Sequence, residues 1–267
     1  MAATSPLAIT PQRTLDLLRA ANDHKAQRLF FELYPANDSV WMGPPLMDGL
    51  VVPGQTIHAR DKYAKHLEWL AAGKTYRERC AMFANRCGKT FSLGGYELSA
   101  HLTGLYPDWW EGRRFRSAIA AWAAGDTYET TRDIIQLTLL GKVTSRGGRK
   151  VMDGRGMIPG YLLGRNTWRS GVQDLVDTIL VKHVSGGNSS LGLKSYDQSR
   201  TSFQGTGRHV IWFDEEAPMD VYNEALIRTA TVNGITMLTF TPLKGMSDVV
   251  MSFMPADQRP PDDAPPV

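Results

Sequence analysis

Phe83-Ala84-Asn85-Arg86-Cys87-Gly88-Lys89-Thr90 departs from the phosphate-binding loop pattern G-x-x-x-x-G-K-[ST] only at its opening glycine, which is Phe83 here. In such a loop the backbone N–H groups of Ala84, Asn85, Arg86, Cys87 and Gly88 turn inward around phosphate oxygens, and the helix that follows presents the positive end of its dipole. Lys89 is expected to reach the outer phosphates and Thr90 to ligate Mg²⁺. The flanks have the required order. Arg79 to Ala84 is a short apolar run suited to a buried strand, and Thr90 to Leu102 spaces Phe91, Leu93, Leu98 and Leu102 on or near one helical face. A chance G-K-T in a surface turn would carry the same letters, so the rest of the chain must decide.

The 267 residues can bury a sizeable core in one large or two small domains. Hydrophobic content of 42% and charged content of 21% are those of an ordinary globular protein. Cys80 and Cys87, one in the predicted strand and one in the loop, make neither a disulfide framework nor a zinc site. There is no apolar run of about 18 residues and no charged n-region before an apolar core, so neither a membrane span nor a secretory signal is predicted. An intracellular, reducing setting is expected. A net charge of +3 does not by itself require a nucleic-acid partner, but the charge is uneven. Lys142, Arg146, Arg149, Lys150, Arg155, Arg165 and Arg169 face only one acid, Asp153, in a glycine-interleaved stretch that reads as a mobile loop. It is either a solvated surface or a contact to a phosphate backbone.

Residues 10 to 34 carry helical spacing, with Leu15, Leu18, Ala21, Leu29, Phe30 and Leu33 on one stripe that is expected to be buried. Prolines punctuate the loop from Trp41 to Pro53, and Ile57 to Ala72 reads as a second helix. Phe115 to Ala124 is predicted as a strand and Thr127 to Leu140 as a helix. Val176 to Val184 and Leu191 to Tyr196 read as a hairpin around Ser185-Gly186-Gly187-Asn188. Arg208 to Phe213 and Gly234 to Thr241 read as buried strands with a helix from about Met219 to Thr231 between them. This alternation predicts an α/β fold with a mainly parallel sheet covered on both faces. Pro255 to Val267, with five prolines, reads as a linker or a cut end.

His209-Val210-Ile211-Trp212-Phe213-Asp214-Glu215-Glu216 supplies what the loop lacks, an apolar strand ending in acids. Asp214 fits the role of holding Mg²⁺ and Glu215 that of the catalytic base polarising the attacking water of an ATPase. Glu216 is the weaker candidate, because neighbours on an extended chain face opposite ways. Carboxylates capping the next helix are the plainer alternative. Arg86 either contacts the γ-phosphate, as a cis arginine finger would, or pairs with a nearby acid. Thr239 and Thr241, in Thr239-Phe240-Thr241-Pro242, are either a sensor coupling hydrolysis to movement or a plain strand-to-turn junction.

In order along residues 55 to 250, these motifs, together with Thr103-Gly104-Leu105-Tyr106-Pro107-Asp108-Trp109-Trp110-Glu111-Gly112, Gly154-Arg155-Gly156-Met157-Ile158-Pro159 and Phe203-Gln204-Gly205, resemble the ATPase domain of the large terminase subunit of tailed bacteriophages and prophages. The resemblance implies a phosphate-loop NTPase fold of the additional-strand, RecA-like kind. It implies an ATP- and Mg²⁺-dependent motor, with Lys89, Thr90 and Arg86 on the nucleotide, Asp214 on the metal, Glu215 as base and Thr239 and Thr241 as coupling residues. The implied partners are double-stranded DNA, the portal and procapsid, the small terminase subunit and further copies in a ring, in the cytoplasm of an infected or lysogenic bacterium. A trans arginine would come from Arg113, Arg114, Arg116, Arg200 or Arg228. The expected organisation is an N-terminal element at 1–54, the ATPase domain at 55–254 and a proline-rich end at 255–267, with no room for a ribonuclease H-like nuclease and no nuclease activity. The alternatives are a helicase-like or repair ATPase and an inactive DNA-binding remnant.

Overall fold

The structure is a computed structural model and describes residues 11–198, 200–243 and 245–259. Helices α1 (Pro11–Ala26) and α2 (Leu29–Glu32) are followed by two short antiparallel strands, β1 (Ser39–Val40) and β2 (Thr56–Ile57), and by α3 (Ala64–Ala72). Strand β3 (Glu78–Met82) runs into the loop, a π-helical turn over Lys89–Gly95 and helix α4 (Tyr96–Thr103). Next come β4 (Ala120–Gly125) and a continuous helical stretch made of α5 (Tyr128–Thr130), a π-helical turn (Thr131–Gln136) and α6 (Leu137–Leu140). Strands β5 (Val143–Arg146) and β6 (Arg149–Met152) form a separate ribbon, and β7 (Leu163–Trp168), β8 (Val176–Lys182) and β9 (Asn188–Ser195) precede β10 (Val210–Asp214). Helix α7 (Met219–Ala230), β11 (Ile235–Phe240) and α8 (Asp248–Phe253) complete the order.

The main sheet has the order β3-β11-β10-β4-β9-β8-β7. From β3 to β9 every pairing is parallel, while β8 and β7 are added antiparallel. One strand, β11, therefore stands between the strand that leads into the loop and the strand that ends in Asp214. This is the additional-strand arrangement of RecA-like folds, on an α/β sheet with helices on both faces.

Side chains of a strand alternate between its two faces, and the two cores follow from that period. On one face Ala81, Ala121, Ala123, Val210, Trp212 and Met237 pack under α4 residues such as Leu98 and Leu102. On the other, Trp122, Ile211, Phe213, Leu238 and Phe240 pack against Val221, Tyr222 and Ala225 of α7 and Val249 and Val250 of α8. Burial on both faces explains why β10 and β11 are buried at every position and do not alternate strictly with polar residues. Gly94 permits a close approach. A Cβ there would lie 2.1 Å from the Trp212 ring, so the turn after the loop can sit directly on β10.

Several expectations change in three dimensions. Of residues 10 to 34, those from Pro11 on are described and form two helices instead of one, and Leu15 and Leu18 are 49% and 57% exposed, so the expected buried stripe holds only from Ala26 onward. Ala26 and Leu29 pack in a small cluster with Trp41, Leu46, Met47 and Val51. Ile57 belongs to a strand, and the α-helix that follows begins only at Ala64. The strand predicted from Phe115 begins at Ala120. Lys142 to Arg169 is not a loop, because β5, β6 and β7 all lie within it. The proline-rich end falls largely outside the described residues, with only a short 3-10 turn at Ala256–Gln258 inside them. Among the described residues, no helix is long and apolar enough to cross a membrane.

Candidate nucleotide site

Parallel pairing brings the carboxyl ends of β3, β10 and β11 to one edge, in a register that sets Asp214 opposite Thr239 and Thr239 opposite Ala81. The loop, more than a hundred residues earlier in sequence, meets the acid strand and the threonines there. Thr90 donates its hydroxyl to Asp214, 2.8 Å from Oδ1 and 3.0 Å from Oδ2. Trp212 Nε1 donates to Thr239 Oγ1 at 2.8 Å, and Thr239 in turn donates to Asp214 Oδ1 at 2.8 Å. Burial pushes the Asp214 carboxyl up to about 7 from its ordinary 3.8. The bonds from Thr90 and Thr239 and the charge of Lys89 oppose this shift, while the charge of Glu215 adds to it.

Lys89 is buried and donates to Thr241 Oγ1 at 2.7 Å and more weakly to Ala84 O at 3.4 Å. Thr241 Oγ1 also lies 2.8 Å from Asn85 Oδ1 and 2.9 Å from Phe83 O. Thr239 thus touches the acid, and Thr241, two residues on, touches the loop lysine. Phosphate oxygens would compete for the same Lys89 and Thr241 donors.

Phe83 takes the opening glycine's place without strain. Its N–H donates to Phe240 O at 3.2 Å, continuing the strand pairing, and its φ is not among the positive values of the described residues. The left-handed positions of the loop are Arg86, at φ 64, and Gly88, at φ 77. Ala84, Asn85, Arg86 and Cys87 are all exposed.

Glu215 has a φ of 73, rare for a non-glycine residue. Its N–H donates to Thr239 O at 3.0 Å and its carbonyl accepts the Tyr196 hydroxyl at 3.0 Å, which hold the peptide in that conformation. Glu216 is buried, and its charge adds to the burial that pushes the Cys80 thiol up to about 12. Cys80 packs in the core under α7 and α8, so the two neighbouring glutamates have different surroundings.

Two residues absent from the sequence reading join the site. His66 on α3 places Nε2 3.2 Å from Cys87 O in the loop, and its Nδ1 lies 2.9 Å from the Tyr34 hydroxyl, which also donates to Ser92 O at 2.8 Å. Cys87 O can only accept, so Nε2 carries the ring proton, and the single Tyr34 hydroxyl proton is shared between His66 Nδ1 and Ser92 O. Burial lowers the His66 pKa and raises that of Tyr34, in keeping with a neutral ring and an intact hydroxyl. Beside the loop a cleft of about 530 Å³ is lined by Arg86, Lys89 and Thr90 on one side and by Gln55, Thr56 and Ile57 of the β2 region on the other. No local motif marks Tyr34, Gln55 or His66; only folding brings them to the loop.

A family model described as terminase large subunit, T4likevirus-type, N-terminal, matches residues 80–263. The chain belongs to the large terminase family. The large terminase subunit of Salmonella phage P22 is 38% identical over 211 residues, covering 72% of this chain and 41% of that protein. This terminase chain thus spans less than half the length of that relative. A solved large terminase from a thermophilic bacteriophage, in complex with ADP, aligns over 67% of this chain and 38% of its own at 17% identity and a TM-score of 0.44, too loose a likeness to bear on the site. Of the five arginines considered as trans donors, four are engaged inside this terminase chain. Arg113 donates to Asn233 O and Arg114 to Trp110 O, while Arg200 and Arg228 both pair with Glu224. Arg116 is exposed.

Proposed function

We propose that this chain is the ATP-hydrolysing part of a DNA-packaging motor. The convergence at one sheet edge of Thr90 bonded to Asp214 and of Lys89 bonded to Thr241, with one strand between the loop strand and the acid strand, carries the reading. The loop amides of Ala84 to Gly88 and the Lys89 ammonium would bind the phosphates, and the cleft beside Gln55 and Ile57 is of the size that takes a nucleoside. Asp214 and Thr90 offer hard oxygen ligands 2.8 Å apart, which suits Mg²⁺, an ion usually held by one or two carboxylates together with substrate phosphates. The bound ion would neutralise charge on the β- and γ-phosphates. Glu215 orients the attacking water, Arg86 contacts the γ-phosphate, and Thr239 and Thr241 couple the state of the site to the segment after β11. Residues 1–54 form an accessory element and 55–254 the ATPase unit. The motor's partners are duplex DNA, a portal on a procapsid, a small terminase subunit and further copies of itself, in the cytoplasm of a bacterial host.

The test is ATP hydrolysis and nucleotide binding by this chain, with and without Mg²⁺, at pH 6 and pH 8. A carboxyl whose folded pKa is raised to about 7 takes up a proton as pH falls through that value. Mg²⁺-dependent nucleotide affinity should therefore rise from pH 6 to pH 8 and lose that dependence in Asp214→Asn. The stability term has the opposite sign. The metal-free protein gains stability from protonated Asp214 at low pH and loses it as pH rises through about 7, so Asp214→Asn should stabilise the metal-free protein at pH 8 by on the order of 2–4 kcal/mol. Absence of nucleotide binding at millimolar ATP would defeat the proposed function.

The Tyr34–His66 pair gives a second expectation. His66→Ala removes the donor to Cys87 O and should weaken nucleotide binding roughly tenfold, the size of one lost hydrogen bond that orders a loop. Tyr34→Phe should give a smaller loss in the same isothermal titration. Unchanged affinity in both variants would mean that the loop holds its shape without them.

A further inference from the structure

We propose that the β5–β6 ribbon is an arm that contacts the phosphate backbone of duplex DNA through Arg146 and Arg149. The assignment rests on the reading of this chain as part of a DNA-handling motor and deepens it by naming the contacting element.

The register pairs Arg146 directly with Arg149, and directly opposed residues of an antiparallel ribbon share a face. Two like charges in that position destabilise a ribbon, and nothing among the described residues relieves them. Both arginines are exposed, and neither side chain makes a hydrogen bond or ion pair among the described residues. They flank Gly147 and Gly148, whose φ values of 57 and 73 make the tight two-residue turn that suits a hairpin. An anion placed across both guanidinium groups would convert the repulsion into a pair of charge-assisted contacts.

The other cations of the ribbon are already engaged. Lys142, at its base, pairs with Asp48, and Lys150 pairs with Asp174 at 2.7 Å. Lys150 lies opposite Ser145, on the face away from the arginines, so its bond to Asp174 fastens one side of the ribbon to the domain and leaves the arginine face outward. The uncompensated charge is therefore concentrated at the free end of an anchored hairpin.

The anchor also fixes where the arm stands. Asp174 closely precedes β8, and β8 runs antiparallel to the parallel strands, so its start lies at the same end of the sheet as Asp214 and the phosphate loop. A two-stranded ribbon is narrow enough to enter the major groove of duplex DNA. Beside its two arginines the tip holds only Ser145, Gly147 and Gly148, and a guanidinium fork suits phosphate oxygens bidentately. The contact it offers is to phosphates, independent of sequence.

The test compares the full chain with Arg146→Gln/Arg149→Gln and with Lys25→Gln/Lys74→Gln, which removes the same charge from exposed lysines elsewhere. Binding to two unrelated duplexes of about 30 base pairs is followed by fluorescence anisotropy across about 50–200 mM salt. The ribbon variant should weaken binding equally on both sequences and reduce the slope of log K against log salt by about 1.8, or about 0.9 for each lost phosphate contact. The lysine variant should keep the slope, and ATP turnover without DNA should be the same in all three proteins. A slope unchanged in the ribbon variant, or reduced equally in the lysine variant, overturns the proposal. So does loss of self-association with DNA binding intact, which would assign the arginines to an acidic face of a second copy. A wild type that binds duplex through the ribbon yet never hydrolyses ATP would defeat the motor reading and leave the ribbon assignment standing.

Discussion

Glu215→Gln is expected to lower ATP turnover by about 10²–10⁴-fold, the usual contribution of a positioned general base, while nucleotide affinity stays within a few-fold of wild type. Affinity survives because the residues proposed to grip phosphate and metal have other supports: Thr90 and Thr239 are bonded to Asp214, and Lys89 to Thr241. Turnover falls because an amide cannot accept the proton of the attacking water. The left-handed backbone of Glu215 supports this choice. A side chain at φ 73 costs of order 1–3 kcal/mol and persists only where its surroundings fix it, here through Thr239 O and the Tyr196 hydroxyl. Glu216→Gln is the control, since that side chain is buried near Cys80 in the core beneath α7. It should leave turnover nearly unchanged. Steady-state phosphate release and nucleotide titration on both variants decide the matter, and wild-type turnover in Glu215→Gln would remove it from the mechanism.

Arg79→Met is expected to destabilise the fold by about 3–5 kcal/mol, because it strands a carboxylate in the core. Arg79 Nη2 donates to Glu97 Oε1 at 2.6 Å, and Nη1 donates to Glu97 Oε2 at 3.1 Å and to Trp69 O at 2.8 Å. Its guanidinium lies 4.3 Å from the centre of the Trp69 ring. Glu97 is fully buried. Burial alone would push its carboxyl up, but Arg79 and His101 more than offset that, and it sits below the ordinary value. The chain of bonds continues through His101. Tyr106 OH accepts the Phe115 N–H at 2.8 Å and so turns its own proton toward His101 Nδ1, leaving His101 Nε2 to donate to Glu97 at 3.1 Å. The melting temperature should fall by roughly 6–20 °C at this chain length. Arg79→Met/Glu97→Leu should recover much of the loss, since an apolar pair leaves no orphaned charge. A double variant no more stable than Arg79→Met would show that the cost lies in packing. The network joins β3, α3 and α4 around the phosphate loop, so the variants also test whether loop affinity depends on that frame.

Features whose information is local were legible in the chain. Residues 83 to 90 and 209 to 216 are contiguous, and each couples an apolar run to a short polar end whose residue types have few other uses. The resemblance to large terminases rested on several such segments in order, and the family match over residues 80–263 bears it out. Features whose exposure depends on distant partners were not legible. The spacing of Leu15 and Leu18 fits a helix, but nothing in the spacing says whether another element covers that face, and here none of the described elements does. The basic stretch from Lys142 looked like a loop because charge and glycine mask the β pattern of an exposed ribbon, whose pairing is decided by backbone register and not by a buried face.

By itself the sequence determined that this protein has a loop of the G-K-T kind after a strand, an acid-tipped buried strand and the alternation of an α/β sheet, because hydrophobic period and loop chemistry act over a few neighbouring residues. Only the tertiary structure decided that β11 lies between β3 and β10, which puts Thr239 on Asp214 and Thr241 on Lys89. It alone shows that Phe83 continues a strand in place of the missing glycine, and that Tyr34 and His66 grip the loop from outside. Strand order and long-range hydrogen bonds are fixed by which surfaces can be buried together, a condition on the whole chain that no single segment carries.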